Sequence, residues 1–368
     1  MLGIYMHIPF CRRRCNYCDF CSSVASCTAI SEYVTALIKS IEAFGESGLT
    51  ADTVYLGGGT PSLLSGEEMS EILNAVRKKF CLTDDCEITT EANPCTVTPS
   101  LLKDYHTAGI NRISFGIQSC KANELDKLGR LHTFEDSENA VSYAKAAGIN
   151  NISADIMLGI PYQTPASLRE TVEKISSLDI SHISAYMLKI ERGTPFDCDA
   201  IRALLPDDDA VSDMYLETVE SLAKKGFAQY EISNFAVSGY ESRHNLKYWT
   251  GEPYIGFGPS AHSYFGGRRF FITDDIKAFI TDPLTPPETE DDTPDLLAEY
   301  IMLGMRLSKG ISLDMVCEFG ADPDVLLSAA KPFVTAGMMN VKGNTLSLTP
   351  RGFLVSNGII GELLDSLY

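Results

Sequence analysis

Residues 3–21 read GIYMHIPFCRRRCNYCDFC. The first eight form an apolar, strand-like run that ends in Pro-Phe, and four cysteines follow at positions 11, 15, 18 and 21. Such a loop has four possible uses: closing disulfides, holding zinc, holding an iron–sulfur cluster, or supplying a nucleophile. Bridging within one tight loop is strained, and 11 cysteines in 368 residues fall far below the density of a disulfide scaffold. Zinc usually takes two ligand pairs, and no second Cys-x2-Cys occurs outside this loop. Cys81, Cys86, Cys95 and Cys120 are scattered, and most of them read as small buried hydrophobes. That reading does not account for Cys11, Cys15 and Cys18, whose x3 and x2 spacing suits three irons of a cubane and leaves the fourth iron without a protein ligand.

Outward from this loop, apolar runs alternate with amphipathic ones. Strands are expected at GIYMHIPF, DTVYLGGGT (from Asp52), EITTEANP (from Glu87), RISFGIQS (from Arg112), ISADIMLGIP (from Ile152) and HISAYMLKI (from His182). Helices are expected over 31–44, 66–80, 98–108, 135–147, 164–178 and 206–225. Six alternations imply parallel βα units. Two connections echo each other, AGINRIS at Ala108 and AGINNIS at Ala147, each with a glycine placed to end a helix. Six units are too few for a closed eight-stranded barrel. No strand opens with the GxGxxG of a dinucleotide fold, and GGGTP at Gly57 lacks the Lys-Ser/Thr of a P-loop. The expected core is therefore a partial (β/α)6 TIM-type barrel over residues 1–230, its polar and glycine-rich strand ends facing one mouth.

Past residue 230 the rhythm breaks. An aromatic and glycine-rich region, 231–280, is expected to cap the barrel and contains HNLKYW. An acidic, proline-rich linker is expected at 281–295. The remainder, 296–368, predicts helices over 296–307, 312–319 and 323–330, a hairpin turning at 342–344, and a last helix: a small winged-helix-like α+β domain. With 30 Lys and Arg against 49 Asp and Glu, the net charge of −19 disfavours nucleic acid and anionic membranes as partners. No run of 18 apolar residues reads as a spanning helix, and MLGIYMHIPF lacks the features of a signal peptide. A cytoplasmic protein with reduced thiols is expected.

Cys11-x3-Cys15-x2-Cys18, with Tyr17 beside the last cysteine, resembles the signature of the radical SAM superfamily, and the partial barrel and GGGTP agree with it. The resemblance implies a 4Fe-4S cluster held by Cys11, Cys15 and Cys18, with S-adenosylmethionine chelating the open iron and cleaved by one electron to a 5′-deoxyadenosyl radical. YMHIPFC, GGGTP, EANP, GIQS, LGRLH, DIMLGIP and LTPRGFLVSNGII together resemble, over nearly the whole chain, the oxygen-independent coproporphyrinogen III oxidases and the related HemW-type heme chaperones. By that resemblance Tyr5, Gly59 and Glu91 contact the cluster-bound S-adenosylmethionine. Tyr17, Thr60, Gln118, Arg130 and Asp155 complete the cofactor pocket, where the oxidases hold a second such molecule.

Two features separate the branches. The oxidase pattern continues with a cysteine two positions after the third; here that position is Phe20, and Cys21 follows as a bystander. The chain also begins directly at its first strand, where the oxidases carry an extension. Both imply the chaperone branch and no coproporphyrinogen oxidase activity. HNLKYW, which holds the chain's only tryptophan, resembles the HNxxYW stretch associated with heme binding in that branch. His244 is then the expected axial heme ligand, with Tyr248 and Trp249 against the macrocycle, and His7 is expected to be structural. The implied partners are heme and client apoproteins, such as those of an anaerobic or membrane respiratory system. The other classes left open are a radical decarboxylase acting on a porphyrinogen and a non-catalytic iron–sulfur protein.

Overall fold

A computed structural model describes residues 1–24 and 26–367. Six parallel strands stand in sequence order: β1 (Leu2–Ile8), β2 (Thr50–Gly58), β3 (Cys81–Ala92), β4 (Arg112–Gln118), β5 (Asn151–Leu158) and β6 (His182–Met187). Their crossovers carry α1 (Cys27–Ala43), α2 (Gly66–Lys79), α3 (Pro99–Ala108), α4 (Ala122–Leu128), α5 (Phe134–Ala147) and α6 (Pro165–Ser176), with α7 (Asp199–Arg202) and α8 (Asp208–Lys224) after β6. The caps are the ones the sequence calls for. Ser65 and Glu68 close a capping box on α2, and Thr133 with Asp136 does the same on α5. Gly109 and Gly148, the glycines of the two AGIN connections, end α3 and α5 at φ 111° and 97°, which a side chain would resist.

The chain from Ala228 onward does more than cap. It extends the sheet past both ends of the six-strand core, in the order β12-β11-β10-β9-β1-β2-β3-β4-β5-β6-β8-β7. Next to β6 stand the antiparallel β8 (Asn234–Ala236) and β7 (Ala228–Gln229). Next to β1 stands β9 (Tyr254–Phe257), which pairs parallel with it. Then come β10 (His262–Phe265), β11 (Arg268–Phe271) and β12 (Glu288–Asp291), all antiparallel. The reason is backbone satisfaction: β1 is buried along nearly its whole length, so its outer edge needs a partner. The acidic stretch read as a linker contributes β12, whose four residues are all exposed, a charged edge strand that discourages further pairing.

The last 70 or so residues form the small α+β domain. Its three-stranded antiparallel sheet, β13 (Ile311–Ser312), β15 (Thr345–Leu348) and β14 (Met339–Lys342), packs with helices Leu296–Gly304, Leu313–Glu318, Pro323–Thr335 and Ser356–Asp365. An isolated bridge between Glu231 and Leu307 ties it to the barrel section. Among the described residues, no helix is long and apolar enough to cross a membrane.

Candidate functional site

The cysteine loop folds over the barrel mouth because it is pinned at both ends. Cys11 N donates to Ser23 O (3.0 Å) and Ser23 N to Pro9 O (2.8 Å), closing its base. Asn16 fastens the tip, its Nδ2 donating to Lys127 O (2.9 Å) and its backbone N to Leu128 O (3.0 Å) at the end of α4. Cys11, Cys15 and Cys18 all line a cavity of about 370 Å³, together with residues from the C-terminal ends of β2 to β6. Gly59, Thr60, Glu91, Gln118, Arg130 and Asp155, six of the expected cofactor residues, share its walls, as does Tyr17. Cys21 stands apart from the lining, its thiol directed at Asp274 O (3.3 Å).

Several side chains act on the cysteines directly. Arg130 Nη1 lies 3.4 Å from Cys15 Sγ, and Thr60 Oγ1 lies 3.5 Å from Cys11 Sγ. Arg130 is aimed by a hydrogen bond from Nη2 to Gly116 O, and its buried Nε has no partner among the described residues. Gly59 is required by contact: a Cβ there would meet Phe10 O at 2.7 Å and Ile8 O at 2.8 Å. Glu91 accepts from Tyr55 Oη (2.8 Å) and from Gly58 N (3.1 Å). Burial, and then the charge of Asp155, push its carboxyl up to about 7, so both protonation forms exist near neutrality. Asp155 is also raised by burial, and accepts from Ser114 Oγ at 3.1 Å. Burial pushes the Cys18 thiol up to about 11.

This residue set fits a cubane cluster and a methionyl cofactor. Among the described residues no three His, Cys, Asp or Glu side chains converge on one point as a single metal ion demands. Three thiols lining one cavity are the donor set of a polynuclear iron–sulfur group with one iron left open. The glycine-built wall admits close backbone approach, and the orphaned Arg130 Nε is a donor suited to a carboxylate.

Tyr5 is placed elsewhere. On β1 it is in register with Tyr55, one layer below Glu91, and its hydroxyl donates to His7 Nδ1 (3.0 Å). His7 Nε2 in turn donates to Cys21 O (2.8 Å), so His7 is a structural strut of the loop. Tyr5 lines a second cavity of about 360 Å³, walled by Tyr55, Tyr186, Tyr248, Trp249 and Glu231 among others. Glu91 and Tyr186 line both cavities, which therefore stand back to back. Glu231 is 1% exposed, and burial pushes its carboxyl up to about 7.

HNLKYW forms most of α9 (Arg243–Thr250), capped by the Ser242 hydroxyl and ended by Gly251 in the left-handed region. One face of this helix is clamped to the bottom of β1, β2 and β3. Lys247, 2% exposed, pairs with Asp52 (2.8 Å) and Glu252 (2.9 Å) and donates to Met1 O (3.1 Å). Glu87 accepts from the backbone N of His244 (3.2 Å) and of Arg243 (3.3 Å). His244 is 0% exposed, with Nδ1 on Thr53 Oγ1 (2.8 Å) and Nε2 on Tyr248 Oη (2.9 Å). Burial, then Lys247, hold its imidazole down at about 3, so it is neutral. In this seat it offers iron no free nitrogen. The adjoining flank of α9, beginning with Tyr248 one turn above His244, presents Asn245, Tyr248 and Trp249 to the second cavity. Tyr55, Tyr186 and Glu231 went unread in the sequence; the signal for Tyr55 was its place two residues before Gly57 on the inward face of β2.

A partial barrel with three cysteines at its mouth defines the radical SAM class, and residues 5–175 match the family model of the Radical SAM superfamily. Residues 292–355 match the HemN C-terminal domain. Over the whole chain, the heme chaperone HemW of Bacillus subtilis (strain 168) is 35% identical across 381 residues, covering 100% of each chain. HemW of Escherichia coli (strain K12) is 33% identical and covers 98% of this chain and 97% of its own. HemW of Mycobacterium tuberculosis (strain ATCC 25618 / H37Rv) is 35% identical, with 98% and 94% covered. The chain belongs to the HemW family. Its fold is also that of the coproporphyrinogen III oxidase HemN from Escherichia coli, a radical SAM enzyme, with a TM-score of 0.84 at 21% identity, covering 98% of this chain and 89% of that one.

Proposed function

We propose that this chain is a cytoplasmic heme chaperone that binds heme and hands it to client heme apoproteins, including respiratory ones. The observation that carries this reading is the pair of adjoining cavities, one ringed by three thiols and the other walled by four tyrosines and Trp249. The full-length relatives, all heme chaperones by name, supply the ligand class. In this reading Cys11, Cys15 and Cys18 hold a 4Fe-4S cluster. Gly59, Thr60, Glu91, Gln118, Arg130, Asp155 and Tyr17 surround S-adenosylmethionine, while Tyr5 acts from beneath through the Glu91 layer. Bound there, the cluster and S-adenosylmethionine supply one-electron chemistry.

The chain's own residues orient and regulate access. Arg130 directs its guanidinium at Cys15, and its Nε is left to donate to the carboxylate of a bound cofactor. Glu91, titrating near neutrality between the two cavities, can hold or release a proton on either side. The aromatic wall of the second cavity gives a flat macrocycle stacking surface, and its volume lies within the range of about 300–1,000 Å³ usual for ligand pockets. The net charge of −19 supports a protein partner rather than a nucleic acid. The test is a hemin titration of the anaerobically reconstituted protein. Saturation at a defined stoichiometry supports the reading, and linear, unsaturable uptake refutes it.

A further inference from the structure

We infer that Tyr248, rather than His244, provides the axial ligand to heme iron, and that His244 is the positioning residue that holds the phenolate. This deepens the heme-binding reading and rests on it.

The argument begins with what is clamped and what is open. The His244 ring stacks on Tyr55 (5.2 Å between centroids, 27°) and lies against Tyr5 (6.4 Å). On the Gly3 side the packing is so close that a Cβ at that glycine would sit 3.2 Å from His244 Cε1. With both nitrogens bonded as well, the imidazole has no free edge. Tyr248 stands one helical turn further along α9, in the wall of the second cavity. Its ring is fixed edge-on by His244 (5.3 Å, 89°) and by Tyr254 (4.7 Å, 86°). Among the described residues its oxygen has one protein partner, His244 Nε2, and keeps a lone pair to give.

Tyrosine ligates ferric heme as a phenolate. The chain has three tyrosine–histidine hydrogen bonds, Tyr5–His7, Tyr230–His182 and Tyr248–His244, among its described residues. They are not equivalent. His7 Nε2 faces a carbonyl, which only accepts, so its N–H is committed there and Nδ1 can only receive a proton from Tyr5. Ionising Tyr5 toward His7 would create a buried imidazolium. Tyr230 is outside the lining of the second cavity, and its oxygen already accepts from Ser242 N (3.2 Å). His244 differs because its Nδ1 faces the Thr53 hydroxyl, which can donate as well as accept. Thr53 can therefore donate to Nδ1 while Nε2–H donates to the Tyr248 oxygen. Burial holds the Tyr248 hydroxyl protonated in the free protein, so ferric iron must drive its ionisation, and the neutral imidazole then donates to the phenolate with no buried cation formed. On ligation the Tyr248 O–H bond breaks and an Fe–O bond forms to ferric iron. The proton passes to Glu91 or water in the same cavity, and no electron moves.

The experiment titrates hemin into the reconstituted wild type and into Tyr248→Phe, His244→Gln and Tyr254→Phe, followed by optical and resonance Raman spectra. The wild type should show iron–phenolate vibrations. Tyr248→Phe should lose them, with hemin affinity at least tenfold weaker and cluster iron content unchanged. His244→Gln, which keeps an N–H donor, should retain them at shifted frequency, and Tyr254→Phe should match the wild type. Far-UV circular dichroism of each variant verifies folding; Phe preserves the ring that packs on Tyr254. Hemin uptake with identical wild-type and Tyr248→Phe spectra overturns this inference alone. A wild type that takes up no hemin overturns the heme-binding reading together with it.

Discussion

Replacing Glu231 by glutamine removes a carboxyl that the fold would rather keep protonated. It is 1% exposed, accepts from Ser233 N at 3.2 Å, and burial moves it from the ordinary 4.5 to about 7. Because the folded-state value is raised, the folded protein binds this proton more tightly than the unfolded chain. The resulting stability is fully present below pH 4.5, declines as pH rises, and is gone above about pH 7. At about 1.4 kcal/mol per pH unit, ionising the buried group costs about 3 kcal/mol. Glutamine keeps the shape and the acceptor but carries no charge at any pH. The stability of Glu231→Gln relative to wild type should therefore grow by about 2–3 kcal/mol between pH 5 and pH 8. Glu91, also near 7, tilts both curves and cancels in the difference. Urea unfolding of the two proteins at both pH values, followed by the fluorescence of Trp249, measures it. Curves that stay parallel from pH 5 to pH 8 would mean that Glu231 is not desolvated as described.

Three further outcomes are expected. Changing Cys11, Cys15 or Cys18 to alanine should abolish the 4Fe-4S absorbance after anaerobic reconstitution, whereas Cys21→Ser, which stands off the cavity, should keep it. Arg130→Met removes a charged donor 3.4 Å from Cys15 Sγ, and hydrogen bonds to cluster ligands raise reduction potentials. Redox titration followed by electron paramagnetic resonance should find the cluster about tenfold harder to reduce, a shift of about 59 mV to lower potential; an unchanged potential would refute the contact. With Phe20 where the oxidases have cysteine, coproporphyrinogen incubated anaerobically with reductant and S-adenosylmethionine should give no protoporphyrinogen above background, and turnover would favour the oxidase.

The six βα units were legible because period-2 strands, period-3.6 helices and glycine caps are local signals, as at Gly109 and Gly148. The sheet extensions were not. β9 is four residues long and pairs with β1 across some 250 residues, and short strands joined by non-local pairing leave little periodicity to read. β12 was hidden by its charges, which mark an edge strand as readily as a linker. The site shows the same division. The resemblance carried by EANP, GIQS, LGRLH and DIMLGIP named Glu91, Gln118, Arg130 and Asp155 together, and all four line one cavity. It does not give depth along the barrel, and Tyr5 lies one layer down, in the second cavity. HNLKYW was recognisable as a unit, but only the clamp of Lys247 on Asp52 and of His244 on Thr53 shows which face of α9 is turned to the cavity.

The central claim is that heme passes from this chain to another protein. The most direct measurement loads the reconstituted chain with hemin, removes the excess by gel filtration, and mixes it with a heme-free apoprotein while the client's holo spectrum is recorded. The account predicts a transfer rate that rises with client concentration, as hand-over through a protein contact requires. A rate independent of client, equal to that of hemin released into solution, or a client that stays heme-free, would contradict it.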